Sequence, residues 1–321
     1  MFRVLLTDYA WPDVEIERAI LREIGAELIV AERQDASTLS AAAKDADAIL
    51  TCWARVGEET IAAARNCRII ARLGIGLDNI DVAAATRRGI IITNVPDYCT
   101  HEVAEHTIAL LLGLARKVAF YHHETKQGRY DLKAGPPLRR LAGQTLGIVG
   151  LGRIGREVAR QAAALGLNVL ATSRRPFAFP DVQHVELGPL LAASDYVSLH
   201  LPLSPQTRHL IGGPQLALMK PGAYLINTSR GGLVDHAALA AALAAGQITG
   251  AALDVQDPEP PDLALPPYCD PRVIVTPHAA FVSEESLIEL RTRATRQVAM
   301  RLMGQTPPNV VNPECLTSGT Q

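Results

Sequence analysis

The stretch TLGIVGLGRIGREVA, residues 145–159, decides the reading of this chain. Its first residues are apolar enough for a buried strand, and its last ones place apolar side chains at helical spacing. Between the two, Gly150, Gly152 and Gly155 form G-x-G-x-x-G. Each glycine has a physical reason: the first makes a tight turn, the second lets backbone approach a pyrophosphate, and the third lets the helix pack close. The helix N-terminus then faces the negative charge. With a strand before it and a helix after it, the motif predicts a dinucleotide site rather than an ordinary strand-to-helix turn.

The next strand, NVLATS, ends at Ser173, which lies 21 residues past Gly152. An acid there would accept from a ribose 2′-hydroxyl. This chain has Ser173, Arg174 and Arg175 instead. A 2′-phosphate reverses the requirement, because a carboxylate repels it while Ser173 can donate and Arg174 or Arg175 can pair with the dianion. The expected cofactor is NADP(H) by preference, with NAD(H) possible. A simpler alternative stays open, in which the arginines are merely solvated at a strand end.

Outward from this segment, YVSLHLP, AYLINTS, GAALDV and VIVTPH continue the strand series, mostly with helices between them. Residues 2–98 hold an earlier series, FRVLLT, ELIVA, AILTCW, RIIARL and IIITNV, again alternating with helical segments. Such alternation implies parallel βαβ units. Gly25 and Gly89 stand where left-handed caps would close two of the helices. One amphipathic helix is expected from about His101 to Phe120, and the polar 124–143 stretch reads as a connection or as an arm for a partner subunit. A last helix, about Ser283–Met303, follows the second sheet and can return to the first domain.

At 321 residues the chain can bury two cores, and its 48% hydrophobic content is ordinary for a globular enzyme. A net charge of −2 with scattered signs gives no footprint for nucleic acid or an anionic membrane. Five cysteines without C-x-x-C spacing read as free thiols in a reducing compartment, and a cytoplasmic location is expected. Charged residues interrupt 103–120, so no membrane span is expected. No histidine or cysteine cluster has metal-ligand spacing. His122, His123, His184, His209 and His236 read as surface or capping residues at helix ends or in loops. Trp53 and Arg55, just past a strand, are as plausible on the surface as in shaping substrate choice.

Three segments end later strands on the carboxyl edge, where open α/β sheets bind ligands. They are NTSRG (227–231), LDVQDPEP (253–260) and VTPH (275–278), and they supply Arg230, Asp254, Glu259 and His278. An arginine can hold a carboxylate in a fork, a histidine can carry a proton near neutral pH, and a carboxylate behind it fixes the tautomer. Those are the needs of a 2-keto acid reductase.

The chain resembles the D-isomer-specific 2-hydroxyacid dehydrogenase family from end to end. The likeness is carried by LGIGLDNID (73–81), VAEHTIALLLGLAR (103–116), GLGRIG (150–155), HLPLSPQT (200–207), MKPGAYLINTSRGGLVD (219–235), GAALDV (250–255) and TPH (276–278). It implies two doubly wound parallel-sheet α/β domains, a Rossmann cofactor domain (100–282) inserted in a flavodoxin-like substrate domain (1–99 with 283–321). It implies Arg230 as substrate clamp, Glu259 and His278 as acid–base pair, and Asp254 near the nicotinamide. By the same likeness Leu73, Gly74, Ile75 and Gly76 offer backbone N–H groups to a substrate carboxylate. Cofactor contacts carried over from the motifs are Arg153 and Ile154 beside the glycines, His200, Pro202 and Thr207, and Thr228 and Ser229.

Two departures stand out. Gln256 replaces the family's more usual aromatic residue, which leaves the local packing open, and TSRR lacks the NAD-type acid, as the family's glyoxylate and hydroxypyruvate reductases often do. The expected reaction is therefore reduction of a small 2-keto acid of that class to a D-2-hydroxy acid, by a homodimer. VPDYCTHEVAEHT (95–107) resembles bacterial members related to the C-terminal-binding-protein corepressors, which keeps a dinucleotide-sensing regulator as the alternative.

Overall fold

The computed structural model describes residues 1–135, 137–175 and 178–317. It divides into two compact units, residues 1–98 with 283–321, and residues 99–282.

The first unit contains strands β1 (Phe2–Leu6), β2 (Ala26–Val30), β3 (Ala48–Thr51), β4 (Ile69–Arg72) and β5 (Ile91–Thr93). They form one parallel sheet in the order β2-β1-β3-β4-β5, the flavodoxin-like doubly wound arrangement. β3, β4 and β5 are buried along their whole length, as expected for strands covered by helices on both faces. Gly25 and Gly89 take φ of +67° and +68° after the helices they close. The long helix Glu284–Leu302 begins at a Ser283 cap and belongs to this unit, as does the short helix Glu314–Thr317 after it. Its buried Arg291 is tied to Glu17 by two 2.8 Å bonds.

The second unit holds β6 (Thr145–Val149), β7 (Asn168–Thr172), β8 (Val182–His184), β9 (Tyr196–Leu199), β10 (Tyr224–Asn227), β11 (Gly250–Leu253) and β12 (Val273–Val275). The parallel order β12-β11-β10-β9-β6-β7-β8 reverses direction between β6 and β9. Loops following β6 and β9 therefore flank the crevice where such sheets take ligands, and those after β10, β11 and β12 continue along the same edge. Hydrophobic cores pack on both faces of the sheet.

Two expectations need correction. The single helix over 101–120 is broken at Lys117, which adopts φ +55° and separates Thr100–Arg116 from Val118–Lys126. The reason is burial: the apolar stripe ends at Leu114 and Ala115, and the second helix buries no residue. His123 lies in the last turn of that second helix, with His122 just before it. His184, read as a loop residue, lies in β8, a three-residue edge strand too short to announce itself by alternation.

Candidate active site

The β6 loop is shaped by what its glycines exclude. Gly150 has φ +102°, and a Cβ there would overlap the His200 carbonyl oxygen. A Cβ on Gly155 would overlap the Gly150 oxygen, so the helix Arg153–Ala164 sits hard against the turn. Gly152 differs, for a Cβ there meets no described atom within 4 Å. Its exposed backbone opens the helix N-terminus, where a diphosphate would be received by N–H groups lacking intrahelical partners. Arg153 is exposed and Ile154 half-buried. The residues present fit a dinucleotide.

At the end of β7, Ser173 turns its Oγ onto the Arg175 carbonyl, and Arg174 and Arg175 are exposed. After β9, His200 Nε2 is 2.8 Å from Ser198 Oγ while Nδ1 is buried without a described partner. Burial pushes this imidazole down to about 4. Thr207 Oγ1 donates to the Pro202 carbonyl (2.8 Å) and accepts from Ser204 N (2.8 Å), fastening the loop.

Arg230, Glu259 and His278 are assembled by three neighbouring strand ends. Asn227 Nδ2 donates to the Arg230 carbonyl (2.8 Å), and Arg230 Nη1 to the Ser229 carbonyl (2.8 Å). Ser229 Oγ donates to the Leu199 carbonyl (2.9 Å), while Thr228 Oγ1 lies 2.8 Å from Thr107 Oγ1. Gly231 brings the β10 and β11 loops together, because any Cβ would overlap the Gln256 carbonyl group.

Glu259 accepts from Gln256 N on Oε1 (2.9 Å) and meets His278 Nδ1 with Oε2 (2.8 Å). Burial alone would raise the Glu259 carboxyl. The hydrogen bond and charge of His278, the Gln256 N–H and the charge of Arg230 outweigh it and hold the group below its ordinary range. His278 is 22% exposed at its side chain and stacks edge-on against Phe281. The Glu259 carboxylate only accepts, so the contact holds a proton on His278 Nδ1.

Asp254 is fully buried, and its carboxylate faces the turn after β12. Oδ1 accepts from Thr276 Oγ1 (2.6 Å) and Ala279 N (2.9 Å), and Oδ2 from Ala280 N (3.0 Å). Gln256 Nε2 adds bonds to the Leu253 and Thr276 carbonyls, both 3.1 Å. The open packing question at Gln256 thus resolves into a polar brace. His106 Nε2 reaches Thr276 Oγ1 at 3.1 Å and Asp254 Oδ1 at 3.5 Å. Sequence reasoning missed His106, Thr276 and Gly231, whose partners are distant in the chain. Only the polar Gln256 after an apolar strand was a signal.

In the first unit, the Leu73–Gly76 loop turns its carbonyls inward. Leu73 O accepts from Arg72 and from Cys52 Sγ (3.6 Å), Gly74 O from Val95 N (3.0 Å), and Ile75 O from Asn94 Nδ2 (2.8 Å). The Leu73 N–H, expected to face a substrate, instead donates to Thr51 O (2.8 Å) because it continues the ladder at the end of β4, whereas the N–H groups of Gly74, Ile75 and Gly76 donate to no described residue. Gly74 has φ +152°, and a Cβ would lie 2.6 Å from Arg72 Nη1. Such a row of unpaired N–H groups suits an anion. Trp53 is half-buried, its backbone N–H on Asp8 Oδ2 (2.7 Å), and Arg55 is exposed.

Residues 108–280 match the family model described as D-isomer specific 2-hydroxyacid dehydrogenase, NAD binding domain. The chain is 42% identical over 286 residues to a glyoxylate reductase of Korarchaeum cryptofilum, covering 84% of each. It is 39% identical over 318 residues to a D-3-phosphoglycerate dehydrogenase of Methanocaldococcus jannaschii, covering 97% of this chain but 60% of that protein. It spans 50% of the corresponding Archaeoglobus fulgidus protein. An NADPH-dependent glyoxylate/hydroxypyruvate reductase from Sinorhizobium meliloti, solved with NADP and malonate, superposes with a TM-score of 0.87 at 30% identity, over 97% of this chain and 96% of that one. Motif order, sheet topology and these likenesses agree, and the chain belongs to the D-isomer-specific 2-hydroxyacid dehydrogenase family.

Proposed function

We propose that this chain reduces a small 2-keto acid of the glyoxylate or hydroxypyruvate class to the D-2-hydroxy acid, with NADPH preferred over NADH. The observation that carries the reading is the 2.8 Å pairing of His278 Nδ1 with Glu259 beside Arg230. The nicotinamide, when bound, supplies the hydride. Gly150, Gly152 and Gly155 with the helix start at Arg153 and Ile154 receive the diphosphate; Ser173, Arg174 and Arg175 receive a 2′-phosphate. His200, Pro202, Thr207, Thr228 and Ser229 line the same sheet edge, where Asp254 acts through the turn it holds.

Arg230 holds the substrate carboxylate in a fork and polarises the neighbouring carbonyl. His278 Nε2–H gives its proton to the oxygen as charge develops there, and Glu259 stabilises the imidazolium beforehand. In the reverse direction Nε2 takes the proton back. Gly74, Ile75 and Gly76 offer N–H groups to a carboxylate, while Leu73, whose own N–H is spent on Thr51 O, only anchors the loop. The match across most of a glyoxylate reductase supports a small unphosphorylated substrate. A homodimer is part of the proposal, supported by Tyr130 and Leu132, 94% and 85% exposed in the polar arm.

The test is a steady-state panel of 2-keto acids run with NADPH and NADH. Turnover of glyoxylate or hydroxypyruvate, with a lower KM for NADPH that Arg174→Glu with Arg175→Glu abolishes, is expected. Equal or tighter use of NADH refutes the cofactor preference. No oxidation of NADPH with any acid refutes the reductase and favours a dinucleotide-sensing regulator.

A further inference from the structure

We propose that His106 is a positioning residue for this reaction, fixing through Thr276 the buried Asp254 carboxylate and with it the turn that aims His278. The proposal rests on the reductase reading for its kinetic consequence, though not for its geometry.

The direction of the relay follows from proton counting. Thr276 has one hydroxyl proton, and the 2.6 Å contact with Asp254 Oδ1 claims it, since a carboxylate only accepts. Toward His106 Nε2, 3.1 Å away, the hydroxyl oxygen must therefore accept, so Nε2 carries a proton. The root of the ring is pinned as well. Thr107, its neighbour on the helix Thr100–Arg116, donates to Val103 O (2.7 Å) and meets Thr228 Oγ1 (2.8 Å).

Downstream, the same carboxylate takes the N–H groups of Ala279 and Ala280, the two residues after His278. His278 has φ +52°, a region that a residue with a side chain occupies at a cost. Such a conformation persists only where its surroundings over-determine it. Asp254 supplies that constraint, and His106 holds Asp254's partner from a separate helix.

Wild type, His106→Ala and His106→Gln are compared in kcat and KM for the best 2-keto acid with NADPH, and in the proton NMR signal of the His278 Nδ1–H bound to Glu259. His106→Ala is expected to lower kcat about tenfold, equivalent to about 1.4 kcal/mol, with KM within about twofold, and to broaden the imidazole signal. His106→Gln, which keeps an N–H donor, is expected to restore both. The proposal is overturned if His106→Ala leaves kcat and the signal unchanged, or if His106→Gln fails as badly as His106→Ala. Should wild type turn over no 2-keto acid while the signal broadens in His106→Ala and returns in His106→Gln, the positioning stands and the reductase reading falls.

Discussion

His278 Nδ1 and Glu259 Oε2 lie 2.8 Å apart, and the carboxylate, which only accepts, fixes a proton on Nδ1. In the proposed reaction, proton exchange is therefore assigned to Nε2. Replacing His278 with Ala should lower kcat by about 10²–10⁴-fold, the range for removal of a general acid. Glu259→Gln keeps the shape but removes the charge that stabilises imidazolium, and a smaller loss of about 10–100-fold is expected. Steady-state kinetics on both variants check the order. A Glu259→Gln enzyme slower than His278→Ala would reverse the assigned roles.

Arg230 is held at its backbone by Asn227 and follows a strand end packed close to the Gln256 loop. Arg230→Lys preserves the charge but loses the planar fork, so kcat/KM for the 2-keto acid should fall about 10–100-fold. The dissociation constant for NADPH, measured by fluorescence, should stay within about twofold. An unchanged kcat/KM would remove Arg230 from substrate recognition.

The sheets were legible because period and punctuation agree locally: apolar runs of strand length, glycines in left-handed caps, and a glycine fingerprint between strand and helix. Arg230, Glu259 and His278 were singled out because each lies in a segment following a strand on the edge where such sheets take ligands, and the structure pairs Glu259 with His278 at 2.8 Å. What escaped the sequence depends on distance along the chain. His106 meets Thr276 across 170 positions, and neither segment advertises the other. The break at Lys117 carries no glycine or proline, so only loss of burial marks it.

His200 supplies a pH prediction. Its Nδ1 is buried and burial lowers its proton affinity to about 4, against 6.5 for the free side chain. Below pH 6.5 the unfolded chain therefore binds a proton that the folded one refuses. The stability this neutral imidazole confers is full above that pH and erodes toward pH 4. Urea unfolding at pH 7 and pH 4.5 should show wild type losing about 2 kcal/mol more than His200→Asn. Equal losses in the two proteins would mean that the ring protonates readily in the native state.

Gly231 joins the two halves of the chemical site by having no side chain. A Cβ there would overlap the Gln256 carbonyl group and come within 2.6 Å of Asp257 N. Backbone cannot move aside as a flexible side chain can, so Gly231→Ala must push the β11 loop away from the β10 loop. That separates Arg230 from Glu259 and strains the Gln256 N–H bond that holds Glu259 Oε1. Overpacking of this kind costs about 1–3 kcal/mol, so the unfolding midpoint should fall by several degrees. Activity should fall further than stability accounts for, with kcat/KM reduced well below wild type at temperatures where the variant is fully folded. Gly213→Ala is the matched control, since a Cβ there meets no described atom within 4 Å. Its stability should stay within about 0.5 kcal/mol of wild type. Equal behaviour of the two variants in thermal melts and kinetics would show that contact between the β10 and β11 loops does not hold the site together.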